Sequence, residues 1–142
     1  PKSLEATEKT PGVSSFEIEK KNSAIMQLKE SRTADVVIIS FHWGEEYQTK
    51  ANATQKEIAH ALVDAGADLI VGHHPHVVQE VEQYNEGWIA YSVGNFVFDQ
   101  NFSDETKEGI ALFGSMQNGR IVSVIAREVL ISASFQPSIG DK

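Results

Sequence analysis

The chain has 142 residues, 41% of them apolar, which is enough for the core of one modest domain. It contains no cysteine, so disulfide staples and thiolate metal sites are excluded and the redox compartment stays open. Its formal net charge of −8 disfavours nucleic acid and other bare polyanions as partners unless bound cations invert the local field.

No run approaches the ~20 apolar residues a membrane-spanning helix requires, and no signal peptide stands out. The first residue is Pro1, and the expectation is a fragment or a processed product of something larger. Residues 1–15 are polar, carry Pro11-Gly12 and read as a loose arm or linker. Residues 17–31 read as a helix with Ile18, Ile25, Met26 and Leu28 as apolar positions. Residues 35–41 form a short β-branched run, which predicts a strand buried on both faces.

A second helix is predicted over 54–65. Thr54 and Glu57 fit a capping box, Ile58, Ala59, Leu62, Val63 and Ala65 make an apolar stripe, and Gly66 is the stop. A strand over 68–72 follows. Strand, helix and strand make a βαβ unit whose strands run parallel through a right-handed crossover. Residues 77–84 and 88–93 predict an antiparallel hairpin turning at Asn85-Glu86-Gly87, with Tyr91 and Phe96 in the core. A polar loop over 100–108 leads to strands at 110–116 and 120–131, joined by the type I′ signal Asn118-Gly119. Residues 136–142 read as a loose tail. No internal repeat or low-complexity segment is present.

The chemistry concentrates in Gly72-His73-His74-Pro75-His76, three imidazoles directly after an apolar strand. Imidazole is the commonest metal ligand. The carboxyl ends of strands are where open α/β sheets build their sites. The first strand empties into His42-Trp43-Gly44-Glu45-Glu46. Parallel neighbours lie ~4.8 Å apart, so His42 and the loop from His73 to His76 are expected to converge at one edge. Trp43 either lines that site or caps the core. Glu45 is either an acceptor for a ligand imidazole or a solvated loop acid. Glu46 reads as surface, and His60 as a plain helix-face residue.

Three blocks carry a closer likeness: Phe41-His42-Trp43-Gly44-Glu45-Glu46-Tyr47, Asp64 through Gly72-His73-His74-Pro75-His76-Val77, and Tyr91-Ser92-Val93-Gly94-Asn95-Phe96-Val97-Phe98-Asp99. Over residues 33–100 the chain resembles the poly-γ-glutamate capsule biosynthesis family within the calcineurin-like metallophosphoesterase superfamily. The resemblance implies a four-layer α/β/β/α fold with a dinuclear centre of manganese, iron or zinc. It implies His42 as the strand-end ligand and His74 with His76 as the His-x-His pair, with His73 as the alternative to His74. Asn95 and Asp99 fall in the third block, either supporting the metal loop from behind or serving turn chemistry at Gly94-Asn95.

The superfamily's earlier Asp-x-His, Gly-Asp and Gly-Asn-His motifs do not occur between Pro1 and Asp35. Residues 16–135 therefore read as the carboxyl-terminal half of such a domain. Three histidines can hold one zinc but do not build a two-metal clamp. No catalytic residue is assigned. The expected partners are the missing amino-terminal half or a second copy of the chain, and polyglutamate or another anionic polymer. Three functions follow from the resemblance: a component of capsule polymer synthesis or export at the bacterial envelope, extracytoplasmic and membrane-anchored through upstream residues; a metal-dependent phosphoesterase without a capsule role; or a non-catalytic polymer-binding component.

Overall fold

Alternation of β-branched runs with one amphipathic helix builds a parallel sheet that carries the histidine loops on a single edge. The structure, a computed structural model, describes residues 10–11 and 17–140; apart from 10 and 11, the amino-terminal arm lies outside the described residues. The elements are α1 (Ile18–Glu30), β1 (Ile38–His42), α2 (Ala53–Asp64), β2 (Leu69–His73), β3 (Val81–Tyr84), β4 (Gly87–Ala90), a 3₁₀ turn (Glu105–Lys107), β5 (Glu108–Gln117), β6 (Arg120–Ile131) and β7 (Pro137–Ile139). Four strands form one sheet in the order β1-β2-β4-β3, and β5-β6-β7 form a second. The fold is α/β.

The βαβ unit is present and its strands are direct neighbours. β1 pairs with β2 in parallel from Ile38 opposite Leu69 to His42 opposite His73. β4 extends the parallel set by pairing with β2, and β3 folds back on β4 as an antiparallel hairpin. α1 and α2 cover one face. Ile25, Val37, Leu62, Val63, Ile70, Ile89 and Tyr91 form the core between helices and sheet. Leu62, Ile70, Ile89 and Tyr91 are fully buried. The amino end of the unit is tied by Asp68, whose carboxylate accepts from the Val37 amide at 2.7 Å and pairs with Lys29 of α1.

Several local expectations are corrected. β1 is not buried on both faces. It is the sheet's edge strand, and Ile38, Ser40 and His42 point to the face the helices do not cover. Continuous hydrophobicity therefore reported a strand whose second face has no cover among the described residues. α2 starts at Ala53, and its N-cap is Asn52, two residues before Thr54. Its Oδ1 accepts from the Gln55 amide at 2.9 Å, and Gln55 Oε1 accepts from the Asn52 amide at 3.0 Å. The capping box is thus Asn52 with Gln55 rather than Thr54 with Glu57.

The carboxyl-terminal segment is not loose throughout. Residues 132–136 turn back, with the Ser132 amide donating to the Gln136 carbonyl at 3.0 Å, so Pro137–Ile139 pairs with β6. The Asn118-Gly119 turn is formed, both residues at positive φ as type I′ requires. Phe96 is 53% exposed instead of buried, and Met26 of α1 is 50% exposed. Among the described residues no helix is long and apolar enough to cross a membrane.

Candidate metal centre

Two loops leave the carboxyl ends of β1 and β2 side by side. The register that sets His42 opposite His73 continues one step, the Trp43 amide donating to the His73 carbonyl at 3.0 Å. The Tyr47 amide then donates to the Pro75 carbonyl at 2.8 Å, binding the first loop across the second. Close packing beneath them depends on Gly72. A Cβ there would fall on the Tyr91 carbonyl and on the Trp43 indole nitrogen. That contact also fixes Trp43: its Nε1 donates to the Tyr91 carbonyl at 2.9 Å and its ring stacks on Phe41 at 4.5 Å. Trp43 faces the core, so it braces the loops and does not line the site.

The histidine loop itself is bent through uncommon backbone. His74 has φ 100° and His76 φ 60°, with buried Pro75 between them. Left-handed conformations of non-glycine residues cost about 1–3 kcal/mol each and persist where the surroundings over-determine them. Here they turn both imidazoles to one side. Glu46, His74 and His76 each offer a ligand atom, and these atoms all lie within 4.8 Å of one another. The His42 ring is 4.5 Å from the His74 ring, so it flanks the cluster from the end of β1.

His73 lies outside the cluster as the last residue of β2. Its pKa is held below the ordinary imidazole value, first by burial and then by the neighbouring His42. Glu45 is exposed and not part of the cluster, and Asp99 is likewise exposed. His60 is far along α2, bonded to Glu82 at 3.2 Å and stacked on Tyr84 at 3.8 Å.

Asn95 supports the cluster from behind. It is 5% exposed, and its Nδ2 donates to the His76 carbonyl at 3.2 Å and to the Thr106 carbonyl at 2.9 Å. Two carbonyl partners identify that atom as the nitrogen, so Oδ1 is the acceptor. It stands 2.9 Å from His76 Nδ1. His76 must therefore donate from Nδ1, which leaves the Nε2 lone pair for a metal.

A polar relay holds the other loop. Gln55 Nε2 donates to Gln79 Oε1 at 2.9 Å, and Gln79 Nε2 donates to the Gln48 carbonyl at 2.8 Å. Both glutamines are at most 3% exposed. The Ala51 amide donates to Glu80 Oε2 at 2.9 Å. Burial raises the Glu80 pKa, but the Ala51 amide, the residue's own backbone amide and Lys56 outweigh it and hold the carboxylate ionised below its ordinary range. Glu46 and Tyr47 are thus carried on a segment pinned at both ends.

Two imidazoles and one carboxylate make a donor set suited to zinc, iron or manganese. The fixed His76 tautomer is what a ligand histidine needs. The residues present fit one divalent ion. Glu46 was missed in the sequence because an acid in a strand-end loop reads as solvated surface. The available signal was its place four residues after His42, on the loop facing the histidines.

Comparison with known proteins gives the family. The family model described as bacterial capsule synthesis protein PGA_cap matches residues 1–100. The chain is 41% identical over 119 residues to the capsule biosynthesis protein CapA of Bacillus anthracis, covering 82% of this chain and 29% of that protein. It is 42% identical over 118 residues to the PGA biosynthesis protein CapA of Bacillus subtilis, covering 83% and 30%. A probable polyglutamine synthesis accessory protein of Mycobacterium tuberculosis is 34% identical over 76 residues, covering 54% and 20%. The chain thus spans about 30% of the length of the two Bacillus relatives. It belongs to the bacterial capsule synthesis protein family.

Proposed function

We propose that this chain is the metal-carrying carboxyl-terminal part of a protein that acts in poly-γ-glutamate capsule synthesis at the bacterial cell envelope. The observation that carries the metal half of the reading is the convergence of Glu46, His74 and His76, with Asn95 fixing the His76 tautomer. The names of the two Bacillus relatives carry the capsule half. Export through the envelope and anchoring by residues upstream of Pro1 belong to the same proposal.

Glu46, His74 and His76 would hold the ion, and His42 stands beside them. A bound divalent ion supplies positive charge to an anionic group and acidifies a coordinated water. The chain's own residues supply the rest. The strained His74-Pro75-His76 turn presents both imidazoles to one side. Asn95 keeps the proton of His76 on Nδ1. The Gln55–Gln79–Gln48 relay keeps Glu46 in reach. An acidic chain repels an anionic polymer, so an ion at this cluster is the point where the two can meet. The metallophosphoesterase-like architecture implies a second ion whose donors would come from beyond the described residues.

The test is capsule formation by the full-length gene carrying His74→Ala with His76→Ala. Loss of cell-associated polymer at unchanged protein level is expected. Normal capsule in that double variant would overturn the metal role and leave family membership standing.

A further inference from the structure

β5 is the outer strand of its sheet and pairs with β6 on one side. Its other side is engaged only where the strand begins. There the Asn95 amide donates to the Glu108 carbonyl at 3.3 Å, and the Ile110 amide donates to the Val93 carbonyl at 2.9 Å. Those two bonds fix the alternation: even-numbered residues of β5 turn their backbone groups away from β6. The amides and carbonyls of Leu112, Gly114 and Met116 therefore point outward, and no strand pairs with them among the described residues.

Open edges of this kind are templates for another strand, and proteins ordinarily blunt them with lysine, proline or brevity. β5 uses none of these. It is ten residues long, and from Gly109 to Gln117 it carries no charge and no proline. The register shift between Ser115 and Met116 puts the extra residue, Val122, on β6 and leaves the outer edge regular. Every residue from Phe113 to Gln117 is exposed. Phe113 is 46% exposed, Met116 62%, and Ile125, opposite Phe113 on β6, 60%. Clustered apolar side chains in water mark a contact surface.

The strand that suits this edge is uncharged and runs antiparallel to it. The edge itself meets both conditions. A net charge of −8 sets two copies against each other, but none of that charge lies on the open stretch 111–117. Gly114 is its midpoint. A two-fold axis there sets Gly114 against Gly114 of the partner subunit and Leu112 against Met116 of the partner subunit. This register satisfies every outward amide and carbonyl of Leu112, Gly114 and Met116 on both strands. A register two residues away either leaves Met116 unpaired or leaves Leu112 so, because Ile110 is already taken by Val93. Phe113 then opposes Ser115 of the partner subunit, and no like charges meet across the seam. We infer that two copies of the chain join edge to edge through β5, so that the two three-stranded sheets become one.

The experiment is light scattering on the full-length protein, with the register read by cysteine trapping. Molar mass should rise from one protomer towards two between about 1 μM and 1 mM, the range of an interface below ~1,200 Å². Met116→Lys places a charge opposite the apolar Leu112 and should hold the protein at one protomer throughout. Leu112→Pro removes an amide that β6 does not use and should do the same. Unchanged circular dichroism in both variants shows that the fold is kept. For trapping, any cysteine of the full-length protein is first replaced by serine. Directly opposed residues come within disulfide reach, and diagonal ones, about 7–8 Å apart, do not. Phe113→Cys protein mixed with Ser115→Cys protein should cross-link on oxidation, and neither should cross-link with itself.

A molar mass that stays at one protomer, a dimer that survives both edge variants, or the absence of a cross-link in the mixture would overturn the inference. Slow hydrogen exchange at Leu112, Gly114 and Met116 in a protein of one-protomer mass would also overturn it, by showing that the edge is covered from within the same chain.

Discussion

Asn95→Ala separates a metal site from a chance meeting of imidazoles. The substitution removes one acceptor and one forked donor from a buried position. The carbonyls of His76 and Thr106 lose the partner they share, and His76 Nδ1 loses the acceptor at 2.9 Å. Leaving a buried polar group unpaired costs about 1–3 kcal/mol, so a fall in stability of that order is expected. The metal consequence is distinct. Removing the partner that orients a ligand imidazole lowers affinity about 10- to 100-fold, or ~1.4–2.7 kcal/mol. Asn95→Asp dissociates the two effects. It keeps an acceptor for His76 but sets a carboxylate oxygen against two carbonyl oxygens. It should therefore be the less stable variant and the better metal binder. Denaturant melts, Zn²⁺ or Mn²⁺ calorimetry and nitrogen-15 NMR of the His76 tautomer read the three quantities. An Asn95→Ala protein with wild-type metal affinity and an unchanged Nδ1–H tautomer would refute the assigned role of this residue.

Other perturbations give equally definite expectations. Gly72→Ala would drive a methyl into the Tyr91 carbonyl and the Trp43 indole; a loss of about 3 kcal/mol or more is expected in chemical denaturation, and near-native stability would show that Tyr91 and Trp43 do not pack this closely on Gly72. Saturating Mn²⁺ or Zn²⁺ should raise the melting temperature, by the equivalent of about 2.7 kcal/mol at a hundredfold excess over Kd. EDTA, His74→Ala or Glu46→Gln should remove the shift, and His60→Ala should not. Burial, then the hydrogen bond to Glu82 and the charges of Glu82 and Glu80, raise the Tyr91 pKa. A raised pKa means stability that is complete below the unfolded value of about 10 and lost as pH climbs above it, so an alkaline unfolding limb is expected. Tyr91→Phe should flatten that limb; an unchanged limb would place the alkaline transition elsewhere.

The parts of the fold with strong local signals were legible. Helical spacing from Ile58 to Ala65, the β-branched runs around Ile38 and Ile70, and Asn118-Gly119 each encode structure within a few residues. The convergence of His42 with the histidine loop followed from the right-handed βαβ rule, and the register His42 opposite His73 now gives it atomic form. What failed depended on the rest of the molecule. A run such as Val36 to Phe41 reads as doubly buried whether or not its second face has a cover, so the edge position of β1 was not visible. Phe96 reads as core because apolarity alone does not distinguish a packed ring from one held out at a loop. Asn52 outcompeted Thr54 as N-cap because Gln55, buried against Gln79, needed its partner at that position.

The site divided in the same way. His74, His76 and Asn95 stood out by motif and by resemblance, and the structure sets them together. Glu46 did not, because its role arises only when the loop after β1 is tied to Pro75 through Tyr47. Trp43 and Glu45 each had two readings in the sequence, at the site or away from it; Trp43 turns to the core and Glu45 is exposed. Neighbours along an extended loop face opposite ways, and only the tertiary bonds decide which of them reaches the ligand.

The most direct measurement is anomalous diffraction from crystals grown with Mn²⁺ or Zn²⁺, recorded on both sides of the metal absorption edge. The account predicts one ion bonded to His76 Nε2, to His74 and to a Glu46 carboxylate oxygen at about 2.0–2.2 Å. An ion held by His42 and His73 with His74 and His76 turned away, or no anomalous peak at saturating metal, would contradict it.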